Sequence, residues 1–170
     1  VKEQSLSLDV DDEDWWNMDE TNVDYDAKSH YTLERVGART INVKDTGSSS
    51  RCTVILAVNK AGGGMKPFII FKGVPGGRIH REWTAVGNDF PADCIYAVQQ
   101  KAWVNEELLL KWIDEAWKPI TVGKKSTYLH MDTFSAHMMR SCVSRIQDCG
   151  SEVDFIPAGY TGALQVLDVG

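Results

Sequence analysis

The segment TYLHMDTFSAHMMRSCVSRIQDCGSEVDFI, residues 127–156, decides the architecture of this chain. TYLHMD (127–132) reads as a strand that ends on an acid. SAHMMRSCVSRIQDC (135–149) reads as a helix that stops near Gly150, a residue suited to closing a helix C-terminus. EVDFI (152–156) then returns as a strand. Strand, helix and strand in this order make a crossover unit with parallel strands.

Working outward, the clearest hairpin lies upstream. RCTVILAVN (51–59) is rich in β-branched and aliphatic residues, AGGG (61–64) supplies the turn, and KPFIIF (66–71) is the returning strand. Pro67 sits near the start of that strand, where a missing N–H is tolerated. Before it, DWWNMD (14–19) reads as a buried strand, residues 20–38 as polar and irregular, and RTINV (39–43) as a short β segment. The stretch 73–93, GVPGGRIHREWTAVGNDFPAD, is a loop by composition. A helix is expected over about 105–117, with Asn105 as its cap, Glu106 and Glu107 in its first turn and Pro119 past its end. Leu108, Leu109, Trp112, Ile113 and Ala116 share one face of it, so it packs on a sheet. The sum is an α/β fold: a mixed sheet, with an antiparallel meander followed by strand-helix-strand crossovers.

A chain of 170 residues is room for one domain with a substantial core. No run of eighteen apolar residues occurs, so no membrane span is expected. Residues 1–13 read as an acidic, poorly ordered lead-in without signal-peptide character, and 14–170 as the folded domain. The absence of an initiator Met leads us to expect a chain cut from something longer. Cys52, Cys94, Cys142 and Cys149 are too scattered for a disulfide framework or a zinc site and are expected as reduced thiols. The net charge of −6 speaks against a wholly basic nucleic-acid binder. Yet residues 1–20 hold eight of the 24 acids and one of the 18 bases, which leaves 16 acids and 17 bases in the remainder. The body is nearly neutral, so a tight grip on phosphates calls for another domain.

Three acids take comparable places: Asp19 ends DWWNMD, Asp132 ends TYLHMD, and Asp168 follows EVDFI through a loop. The carboxyl edge of an α/β sheet is where ligands gather, and carboxylates there suit Mg²⁺. Two carboxylates about 4 Å apart repel by roughly 4 kcal/mol at an effective dielectric of about 20, so they call for a cation or a proton. On placement alone, solvated caps and turn residues are the better explanation of three of 24 acids.

The words around the acids carry more. NMDET (17–21), RCTVILAV followed by KPFIIFKG, QKAWVNEELLLKWIDE (100–115), LHMDTFSAH (129–137) and IPAGYTGALQVLDVG (156–170) occur in order, with thirty-five residues between Asp132 and Asp168. In these motifs the chain resembles pogo-like transposases of the DDE superfamily endonuclease group, which also includes centromere protein B and jerky-type proteins. The resemblance covers residues 14–170 and implies an RNase H-like fold with Asp19, Asp132 and Asp168 as catalytic ligands of two Mg²⁺ ions, Mn²⁺ substituting. It implies DNA cleavage followed by strand transfer, DNA partners (transposon ends and target), a possible homodimer and a nuclear location. Three departures stand out. Val166 replaces a usual proline, the chain stops two residues after Asp168 so that the fold is C-terminally truncated, and no DNA-binding helix-turn-helix region is present. A domesticated, inactive DNA-binding or scaffold protein is the rival reading, and an RNase H-like nuclease without strand transfer a third.

Other residues divide between roles. His137, Thr161 and Gln165 would hydrogen-bond the acids or phosphate, or else serve helix start and turn. His130 shares a strand face with Asp132 and is expected as a satisfied core histidine. Glu20 points away from Asp19 if the strand continues and is left outside the metal set. Trp15, Trp16, Trp103, Trp112 and Trp117 can stack on bases, but core packing is the expectation. Lys124 and Lys125 form a small basic turn, and Gly62, Gly63 and Gly64 make no phosphate loop because no Lys-Ser/Thr follows.

Overall fold

A computed structural model describes residues 10–25, 51–157, 159 and 167. Six strands form one sheet: β1 (Trp15–Asp24), β2 (Arg51–Asn59), β3 (Phe68–Lys72), β4 (Ile95–Gln99), β5 (Thr127–Asp132) and β6 (Ser151–Ile156), in the order β4-β3-β2-β1-β5-β6. β1 is central. It runs antiparallel to β2, from Trp16↔Asn59 to Asp24↔Arg51, and parallel to β5, from Trp15↔Tyr128 to Asn17↔His130. The β2–β3 pair is the expected hairpin, and β5–β6 is the expected parallel crossover, with α4 (Arg140–Asp148) between its strands.

Several boundaries differ from the sequence reading, each for a physical reason. β1 continues five residues past Asp19, because β2 supplies hydrogen-bond partners to a segment whose last four side chains, 21–24, are exposed. The stretch 73–93 contains a short helix, α1 (Arg78–Thr84), and the unread segment IYAVQ forms β4, parallel to β3. α4 starts at Arg140 rather than at Ser135, since residues 135–138 are turns that fold back on β5. The acidic lead-in is also partly built. Residues Asp12–Asp14 make a 3-10 turn pinned to the β2–β3 turn, with Lys60 Nζ 2.6 Å from Asp12 Oδ1. RTINV (39–43) lies outside the described residues.

The long helix passes through its proline. α2 (Glu106–Trp112), whose cap Asn105 accepts from the N–H of Leu108 at 3.0 Å, runs into a π-helical turn (Ile113–Trp117) and then α3 (Lys118–Thr121). In the π turn the N–H of Lys118 reaches the carbonyl of Ile113. The helix effectively restarts there, so Pro119 sits where a missing N–H has least to lose. The widened turn also brings Trp112 and Trp117 onto the sheet together, their rings 6.0 Å apart.

The core lies between this helix and one sheet face: Trp16 and Met18 of β1, Ile55 and Ala57 of β2, Phe68 and Ile70 of β3, and Leu129 and Met131 of β5. Burial of such side chains contributes about 1.5–3 kcal/mol each. Buried Trp117 also donates from Nε1 to Ser151 Oγ at 2.9 Å, and Ser151 Oγ lies 2.6 Å from Thr127 Oγ1, which ties the helix to β5 and β6. Trp117→Phe removes that donor and shrinks the ring. The expected loss is about 1–3 kcal/mol in urea unfolding. An unchanged midpoint would show that this tie contributes nothing.

Candidate metal centre

Strand alternation sorts the acids before any side chain is placed. Trp16 and Met18 face the helix, so Glu20 continues that face, while Asp19 follows Trp15 and Asn17 on the other. On β5, Leu129 and Met131 face the helix, and His130 and Asp132 take the far side. The parallel register pairs Asn17 with His130, and two residues further along each strand stand Asp19 and Asp132. Both line one cavity of about 320 Å³, together with Glu20, Arg51, Trp103 and Phe134. Asp19 therefore sits mid-strand rather than at a strand end, at the level where Asp132 closes β5.

Asp132 is held by its own turn. Its Oδ1 accepts the N–H of Phe134 at 3.0 Å and lies 2.8 Å from His137 Nδ1. Both contacts fall on Oδ1; among the described residues Oδ2 accepts none. The hydrogen bond to His137 lowers the Asp132 pKa, burial works the other way, and the Phe134 N–H adds to the lowering. Asp19 Oδ1 accepts the N–H of Glu20 at 2.8 Å.

His137 is the most deeply buried member, fully shielded from water. Its Nε2 lies 2.8 Å from Glu20 Oε1, so one ring links two carboxylates 112 positions apart in the chain, from Glu20 to Asp132. Burial alone would neutralise the ring. The hydrogen bonds to Asp132 and Glu20, with their charges, outweigh it and raise the pKa to about 10. That shift favours the protonated ring, the form that donates from both nitrogens.

Glu20, Asp132 and His137 bring three potential ligand atoms within 4.8 Å of one another. In its protonated form the ring has no lone pair to offer and bridges the two carboxylates as a donor; in its neutral form it offers one nitrogen as a ligand. Asp19 and Asp132 also line one cavity, where carboxylates offer the hard oxygen donors that a divalent cation takes. Nothing in the local sequence marks Glu20 for this role; its position on the helix-covered face of β1 is the only available signal. Asp168, Thr161 and Gln165 lie outside the described residues.

The remaining candidates separate cleanly. His130 is partly buried edge-on against the stacked rings of Trp15 and Tyr128, with neither ring nitrogen hydrogen-bonded among the described residues. Burial lowers its pKa while nearby Asp154 pulls it up, so it is a packed neutral ring rather than a satisfied core histidine. Lys124 pairs with Asp14 at 2.7 Å, beyond the start of β5 and away from the acids. Trp16, Trp112 and Trp117 are core residues, and Trp15 stacks on Tyr128. Trp103 departs from the expectation of core packing: it is 56% exposed and lines the acidic cavity. All four cysteines are free.

The family described as DDE superfamily endonuclease matches residues 49–170. The curated relatives include the pogo transposable element with KRAB domain of Mus musculus, 29% identical over 158 residues, and that of Homo sapiens, 28% identical over 158 residues. Each alignment covers 90% of this chain and 24% of the relative, so the chain spans about a quarter of their length. Among solved structures, the Mos1 mariner paired-end complex with Mn aligns with a TM-score of 0.52 at 9% identity, over 83% of this chain and 35% of that one. The Mos1 transposase paired-end complex with left transposon end gives 0.50 at 8% identity, over 84% and 35%. At such identities the likeness concerns the fold alone, and the fold is the RNase H-like mixed sheet. A match over residues 49–170, the pogo relatives and that sheet together lead to one conclusion: the chain belongs to the DDE superfamily endonuclease family.

Proposed function

We propose that residues 14–170 form the catalytic core of a Mg²⁺-dependent transposase that cleaves DNA strands and joins them to a target, with Asp19, Asp132 and Asp168 as metal ligands. The observation that carries this reading is the pair Asp19 and Asp132, on adjacent parallel strands and lining one cavity. Two such carboxylates without a cation would repel, and one would protonate. The His137 hydrogen bond instead keeps Asp132 ionised, in the state a divalent cation needs. A pair of bound ions would supply Lewis-acid charge to the attacking and leaving oxygens of a phosphoryl transfer.

The chain's own residues do the rest. Glu20 and His137 fix the Asp132 carboxyl, so that Oδ1 is spent on protein donors while the residue lines the cavity. Asp19 offers its carboxyl from a strand hydrogen-bonded on both sides. Mn in the Mos1 complex supports a divalent ion, the transposon end held by its counterpart supports DNA as substrate, and the pogo relatives support a nuclear site of action.

Two measurements test the reading. Mg²⁺ or Mn²⁺ at a hundredfold excess over its dissociation constant is expected to stabilise the fold by about 2.7 kcal/mol, seen as a rise in Tm. The full-length protein, given a pre-nicked transposon end and target DNA, is expected to join them only with metal. DNA binding without joining would favour a domesticated, inactive relative, and no metal-induced stabilisation would remove the metal centre.

A further inference from the structure

An exposed aromatic beside a charged cavity stands out because the chain invests structure in holding it there. Trp103 follows Ala102, which is fully buried and has a φ of 57°, the left-handed region that a residue with a Cβ rarely adopts. Such a conformation persists only when neighbours impose it. Here the Thr53 hydroxyl donates to the Ala102 carbonyl at 2.6 Å, the Ala102 N–H reaches the carbonyl of Gln99, and Gln99 Oε1 accepts the N–H groups of Lys101 and Trp103. On the other side Asn105 caps α2. The backbone of Trp103 is therefore fixed to β2, β4 and α2, yet its side chain is 56% exposed.

What that indole faces is the acidic cavity. Trp103, Phe134 (40% exposed) and Arg51 line it along with Asp19 and Asp132. Lys101 Nζ lies over the Trp103 ring, 5.9 Å from its centre. A flat π-surface, a second aromatic and Arg51 beside three carboxylates, with Lys101 over the indole, fit a nucleotide better than an apolar protein segment. Cations match the phosphates, and the indole matches a base.

We propose that Trp103 is a positioning residue that stacks on an unpaired nucleobase next to the scissile phosphate. Phe134 flanks the same nucleotide, and Arg51 and Lys101 meet its phosphates. This inference rests on the DNA-processing reading above and goes beyond it by naming the group that sets the strand in place. Stacking of this kind is sequence-tolerant, because every base has a π-face.

The test uses the full-length protein and a duplex with a 3′ overhang that carries 2-aminopurine as its first unpaired base, bound with Ca²⁺ in place of Mg²⁺. Wild type is expected to quench the probe, Trp103→Leu to abolish quenching, and Trp103→Phe to keep most of it. In joining assays with Mg²⁺, Trp103→Leu is expected to raise KM about tenfold on this strand, within the range for loss of one stacked base. On a strand with an abasic site at that position, the variant and wild type are expected to behave alike. Equal loss on normal and abasic strands, or quenching that survives in Trp103→Leu, would overturn the stacking role. If wild type joins strands while Trp103→Leu changes nothing, this inference alone fails. If wild type neither binds nor joins DNA, it fails together with the proposed function.

Discussion

Asp132→Asn is expected to lower metal-dependent strand joining by about a thousandfold or more, roughly 4 kcal/mol of transition-state stabilisation, while leaving the fold intact. The substitution isolates charge from shape. An asparagine side-chain oxygen can still accept the N–H of Phe134 and the proton on His137 Nδ1, so the turn after β5 keeps its tether. What disappears is one negative charge at the cavity, and with it most of the attraction for a divalent cation. The metal-induced rise in Tm should vanish in the same variant. Asp154→Asn is the control: that acid lies on the neighbouring strand β6, more than half exposed, and pairs in register with His130 rather than lining the cavity. Equal activity in Asp132→Asn and wild type would remove Asp132 from the metal set. Equal losses in both variants would point to a general charge effect instead of a site.

The strands that packing decides were legible in the sequence, and those that a partner decides were not. β2 and β5 carry alternating or β-branched apolar residues that bury one face whatever else happens, and their observed limits match the reading closely. The end of β1, TNVD, has no such signal: its side chains stay exposed, and only the backbone ladder to β2 makes it a strand. β4 was missed because five residues of mixed character become a strand only when β3 offers an edge. Pro119 misled for the opposite reason. A local helix-ending rule was overridden by the packing of Trp112 and Trp117, which the π turn serves. At the site, Asp132 was legible as an acid at a strand end. The link from His137 to Glu20 was not, because it joins residues 117 apart through a buried ring, and strand alternation alone set Glu20 aside. Trp103 shares a segment with an amphipathic helix, but its exposure depends on the left-handed turn at Ala102, which no composition rule reveals.

His137→Ala is expected to destabilise the fold by about 3–5 kcal/mol, the range for leaving buried charges without their partner. The nearest potential ligand atoms of Glu20 and Asp132 lie within 4.8 Å of each other. At that separation two carboxylates repel by roughly 3 kcal/mol with an effective dielectric of about 20, so one must take up a proton or both must move apart. Side-chain exposures of 16% for Glu20 and 31% for Asp132 let water relieve part of this, which favours the lower end of the range. His137→Gln restores a donor without a charge and should fall between alanine and wild type in urea unfolding. The contribution also has a pH signature. A histidine whose pKa rises from 6.5 to about 10 on folding stabilises fully below pH 6.5 and loses that stabilisation as pH climbs through about 10. The gap between wild type and His137→Ala should therefore be widest near pH 6 and close toward pH 10. Chelator decides between this picture and its rival. If the ring acts as a protonated strut, the gap persists in EDTA, because no metal takes part in it. If His137 were itself a metal ligand, the gap would appear only with the ion present, and the imidazolium bridge between Glu20 and Asp132 would have to be abandoned.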